Sequence, residues 1–203
     1  MAPEHQTSIT VPLFSIWIRP KATIRAVVDR SPWGITALAG TFGFVFALSV
    51  LAQNQNLARS ASFDLITLFV GFFGGIGFLY GMGALLRWTG ARLGGTGDGS
   101  GVRAAIAYSQ VPLVLSEALL ALSYLMGERP GQAPPSSIFA SALEFVGATL
   151  VIWSLLIFFG CLAEVHKFSV WKALGCTGLS LAALTLTYLL CLVVIYGIRV
   201  ILV

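Results

Sequence analysis

Residues 138–163 read IFASALEFVGATLVIWSLLIFFGCLA, a run whose single charge is Glu144. A helix of about 20 apolar residues crosses the ~30 Å hydrocarbon core of a bilayer, so this stretch is long enough to span it. Its apolar residues follow one another without the period-two alternation of a barrel strand, which predicts a helix. Outward from it lie four more such runs, at about 34–52, 63–86, 104–126 and 173–203. The last has length to spare for tilting or for emerging beyond the interface. The chain is 57% hydrophobic and 10% charged, against about 25% charged residues in a soluble domain. The reading is an all-α integral membrane protein. A five-transmembrane-helix bundle fills residues 33–203, after a cytoplasmic N-terminal segment, 1–32, that carries an interfacial amphipathic helix.

Orientation follows from the basic residues. Arg19, Lys21, Arg25 and Arg30 precede the first span, Arg87, Arg92 and Arg103 join the second to the third, and Lys167 and Lys172 join the fourth to the fifth. The other side holds Arg59, Arg129 and Arg199. Lys and Arg collect in cytoplasmic loops, so the N-terminus is expected in the cytoplasm and the C-terminus outside. The net charge of +4 is explained by this placement, without nucleic acid. The first thirty residues carry six charges and are broken by Pro12 and Pro20 where a secretory signal would have an apolar core. The first span is therefore expected to act as an uncleaved insertion signal.

Between Pro12 and Arg30 the pattern turns amphipathic. Ile24, Val27 and Val28 share a helical face, and Pro20 suits a first helical turn. Arg19, Lys21 and Arg25 form the basic membrane-surface side of a helix lying on the anionic inner leaflet.

Glycine marks the second span, GFFGGIGFLYGMG over 71–83, where Gly71 and Gly75, then Gly77 and Gly81, repeat at four-residue spacing. Small residues so spaced let another helix come close, within the bundle or from a second copy. The run GGTGDGSG at 94–101 lacks the Lys-Ser/Thr of a phosphate loop and follows no strand, so it reads as a flexible linker.

Intramembrane acids are costly and carry the most functional information. Glu117 and Glu144 lie in consecutive spans joined by a short connection, at similar expected depths. Gln110, Glu117 and Tyr124 recur every seven residues and share a stripe. Asp64, at the outer end of the second span, is close enough in depth to join them. Pro112 is expected to kink the third span near Gln110. This candidate polar cluster either holds a cation or relays protons, or else fixes helix packing through hydrogen bonds.

No metal site is expected. Cys161, Cys176 and Cys191 sit in apolar runs, and His166 has Glu164 nearby and little else. His166 and Lys167 complement a helix C-terminus, and Ser169 is placed to cap the fifth span. No catalytic constellation stands out, so neither an enzyme nor a cofactor is expected.

The segments IWIRPKATIRAVVD, RWTGARLGG leading to AAIAYSQVP, and CLAEVHKFSVWKALG resemble the Yip family (Ypt-interacting protein domain), particularly its short bacterial members. The resemblance covers roughly residues 14–200. It implies five spans with a cytoplasmic N-terminus, in a bacterial inner membrane. Eukaryotic relatives are tied to Rab-type GTPases through longer N-terminal regions than the 32 residues found here. Two functions follow as expectations. One is a scaffold or adaptor that self-associates or binds other membrane proteins. The alternative is a small-cation or proton transporter using Glu117 and Glu144.

Overall fold

The computed structural model describes residues 10–27, 32–54, 60–125 and 138–202. Arg30, Arg59 and Arg129, on which part of the charge count rests, lie outside them, as do Met126 and Val203 at the ends of two expected spans. Eight helices are described: α1 (Thr10–Ser15), α2 (Pro20–Val27), α3 (Pro32–Gln53), α4 (Ala61–Arg92), α5 (Gly99–Ser109), α6 (Val111–Leu125), α7 (Ile138–His166) and α8 (Val170–Leu202). Five units are long and apolar enough to cross a membrane: α3, α4, α5 with α6, α7 and α8. The protein is an all-helical integral membrane protein.

The expected spans 63–86, 138–163 and 173–203 lie within or across helices that begin or end beyond them. At 32 residues α4 is about 48 Å long, more than a hydrocarbon core requires, so it tilts or projects. The third span begins earlier than expected. Gly99 to Gly101 form the first turn of α5, and the Asp98 carboxylate caps it by accepting from the Gly101 N–H at 3.0 Å. Glycine content suggested a linker throughout 94–101; an N-cap residue outweighs it from position 98 on.

The break falls where Pro112 implied it. Gln110 separates α5 from α6, because Pro112 has no N–H for the Tyr108 carbonyl. One turn away, the Ser109 carbonyl accepts from the Ser154 hydroxyl of α7 at 2.7 Å. A side chain thereby supplies a donor at the discontinuity.

The core centres on α5, whose Val102, Ala104, Ala105, Ile106 and Ala107 are all buried. Its alanines let α3, α4 and α7 approach closely. Between α3 and α4 the contact is tighter still. A methyl at Gly43 would collide with the Gly71 carbonyl and stand 2.9 Å from the Gly75 Cα. α8 is peripheral. Its inner turns bury Ala173, Cys176 and Ser180, whereas residues 184–194 are exposed.

Candidate functional site

Glu117 reaches α3. Its Oε2 accepts from the Ser49 hydroxyl at 2.6 Å, and Ser49 is fully buried. The same hydroxyl lies 2.9 Å from the Phe46 carbonyl, so one proton serves two acceptors. On α6 the preceding residue, Ser116, faces α7 and donates to the Gly147 carbonyl at 3.4 Å. Successive helical positions point about 100° apart, so Glu117 is turned toward α3 while its neighbour meets α7. Among the described residues, neither Glu144, Asp64, Gln110 nor Tyr124 shares a hydrogen bond with Glu117. Glu144 and Ser141 are on an exposed side of α7, Gln110 is buried at the helix break, and Tyr124 is half-buried. Asp64 is in the first turn of α4, where a carboxylate complements the helix dipole.

The opposite end of the bundle is an assembled structure. Glu164, near the end of α7, accepts from Arg25 Nε at 2.7 Å and Nη2 at 3.0 Å, and from Lys167 Nζ at 2.7 Å. This carboxylate holds the Arg25 guanidinium above its ordinary pKa through hydrogen bonding and charge. Arg25 is thus an intramolecular ion-pair partner as well as a basic surface residue. The amphipathic helix forms over Pro20–Val27, but its apolar face meets protein. Ile16, Ile24 and Val27 are buried in the core cluster, against α5 and α7. Phe14 and Ile18, 76% and 83% exposed, are the apolar groups it leaves free, beside exposed Arg19 and Lys21.

His166 is 1% exposed. Its ring stacks on Phe168, with centroids 5.0 Å apart. Gly90, Gly95 and Gly97 wall it in so closely that a Cβ at any of them would strike the imidazole. Nδ1 accepts from the Gly97 N–H at 3.3 Å, and the His166 carbonyl accepts from the Thr96 N–H at 3.2 Å. Both helices ending here close with the same device. Phe168 N–H bonds to the Ala163 carbonyl with Lys167 at φ +57°, and Gly95 N–H bonds to the Gly90 carbonyl with Gly94 at φ +83°. Ser169 caps α8 through the Lys172 N–H at 3.4 Å, as its position implied.

The α4–α8 seam is also polar. The Thr89 hydroxyl lies 2.8 Å from the Ser180 hydroxyl and 3.1 Å from Cys176 Sγ, all three residues being fully buried.

The glycine pairs of α4 divide. Gly71 and Gly75 are pressed on Ala47, Gly43 and Ala39 of α3, whereas Gly77 and Gly81 have nothing within 4 Å of an added Cβ. Sequence reading missed Ser49, Gly43 and the His166 cradle. The available signals were one serine in an apolar helix, and glycines 90, 95 and 97 flanking a helix end.

Compared with known proteins, the chain matches a family model described as Yip1 domain over residues 14–194. No curated protein and no solved structure matches it.

Proposed function

This chain belongs to the Yip1 domain family, and from that membership and its open helix faces we propose a membrane scaffold or adaptor, non-enzymatic, that works by self-association or by binding other membrane proteins. The observation that carries the reading is the division of the α4 glycines. Gly71 and Gly75 are consumed inside the bundle, while Gly77 and Gly81 stay open on an exposed side of the same helix. Small residues at that spacing support close approach of a second helix. The basic end, with exposed Arg19 just before α2 and exposed Lys21 on it, is the cytoplasmic one in this reading, and the membrane is a bacterial inner membrane.

Energy transfer between labelled copies in proteoliposomes tests the proposal. The expected result is transfer that depends on protein-to-lipid ratio and is largely lost in Gly77→Leu/Gly81→Leu. Transfer unchanged by these substitutions, or absent from the wild type, would remove the self-association route.

A second reading, cation or proton transport through Glu117 and Glu144, draws support from the 2.6 Å Glu117–Ser49 contact beside a broken helix. Breaks in spanning helices often border transport pathways. The same contact serves equally well to fix α3 against α6, which favours the scaffold. Proton flux into dye-loaded liposomes that disappears in Glu117→Gln would reverse that preference.

A further inference from the structure

Two arginines on neighbouring helices converge without a carboxylate between them. Arg87 stands five residues before the end of α4, and Arg103 stands four residues into α5. From the point where a side chain at Gly99 would begin, Arg103 Nη1 is 3.3 Å away and Arg87 Nη1 is 3.8 Å away. Among the described residues no carboxylate lies within 4.0 Å of either guanidinium. Asp98, the nearby acid, spends its carboxylate on the Gly101 N–H and the Ser100 hydroxyl. Like charges this close repel, and an anion between them removes the cost.

The surroundings say which anion. Arg103 lies over the Tyr80 ring, 4.9 Å from its centroid, and the exposed Trp88 adjoins on α4. Aromatic rings of this kind mark the level of lipid headgroups. Phe73, Tyr80 and Arg87 recur every seven residues, so they form one stripe along α4. The stripe runs about 21 Å from the charge to Phe73, close to the depth of one leaflet. There Phe73 lines an apolar cavity of about 350 Å³ with Phe44, Leu65, Leu68, Phe69 and Phe72. Gly99 leaves room at the charged end, where any side chain would crowd Arg103.

We propose that Arg87 and Arg103 grip the phosphate of one anionic phospholipid, whose acyl chain descends past Tyr80 toward Phe73. This site is independent of whether the protein scaffolds or transports. It assigns a role to two cations that lack an ion-pair partner among the described residues.

Native mass spectrometry of the full chain in detergent tests the site, with phosphatidylglycerol, phosphatidylcholine and glycerol 1-phosphate as probes. The wild type is expected to retain phosphatidylglycerol over phosphatidylcholine by about thirtyfold, from two basic contacts at the surface. Millimolar glycerol 1-phosphate should not displace it. Arg87→Gln/Arg103→Gln should abolish the preference, whereas Arg92→Gln, whose guanidinium lies 3.9 Å from the centroid of the Trp88 ring, should keep it. A wild type without preference overturns the proposal whatever the variants do. So does equal loss in Arg92→Gln, which would mean a diffuse basic belt. Displacement by glycerol 1-phosphate would mean a soluble phosphate site and would equally overturn it.

Discussion

At Gly43 a methyl group would meet the Gly71 carbonyl and the Gly75 Cα, backbone atoms that no rotamer change can move. At Gly81 it would meet nothing within 4 Å. Gly43→Ala is therefore expected to destabilise the protein by about 1–3 kcal/mol or more. Gly81→Ala should be neutral or slightly stabilising, by up to about 1 kcal/mol. Unfolding of the detergent-solubilised protein in SDS checks both. Spacing in the sequence singled out Gly71, Gly75, Gly77 and Gly81 of α4 but could not separate them, because every four-residue repeat looks alike until the facing helix is known. Glu117 was legible as an intramembrane acid for the same reason that its partner was not. Charge in an apolar run is visible at once, whereas Ser49 is an ordinary residue until α3 is set beside α6. Chain adjacency suggested Glu144, but the 100° step from Ser116 to Glu117 turns the carboxylate toward α3.

Among the described residues, α8 joins α4 through a buried polar patch. Thr89, Cys176 and Ser180 bond across its inner turns, and residues 184–194 are exposed. Thr89→Val keeps the side-chain shape and removes the hydroxyl, which inside a membrane costs about 0.6–2 kcal/mol. Hydrogen exchange over residues 173–180 should then speed up relative to α5; equal protection would show that apolar packing alone holds α8. Helix existence was the most legible feature of the chain, since apolar run length reports it directly. The break at Gln110 was legible too, because Pro112 lacks a donor. The start of α5 was hidden by glycine-rich composition, whose readings as a loop and as a capped first turn differ only through Asp98. The amphipathic face of α2 was legible, but its cover was not. Lipid and protein are both apolar, and a helical period cannot tell the α5–α7 surface from acyl chains.

For the molecule as a whole, α2, the 93–98 connection and the 167–169 connection meet at one end. Arg25 and Lys167 bind Glu164 there, Thr96 binds the end of α7, and Lys172 Nζ donates to the Leu93 carbonyl at 3.4 Å. Five crossings place the connections after α3 and α4 on opposite sides of the membrane. In the orientation proposed from the basic residues, the shared end faces the cytoplasm. Cysteine accessibility in intact cells tests this most directly, using Asn54→Cys after α3 and Thr96→Cys after α4, both at exposed positions. The native Cys161 and Cys176 are buried, and the exposed Cys191 of α8 is replaced by serine in both variants, so background labelling by a membrane-impermeant reagent should be low. The account predicts that Asn54→Cys reacts in intact cells and that Thr96→Cys reacts only after the membrane is permeabilised. Labelling of both positions from outside, or of Thr96→Cys alone, would contradict it.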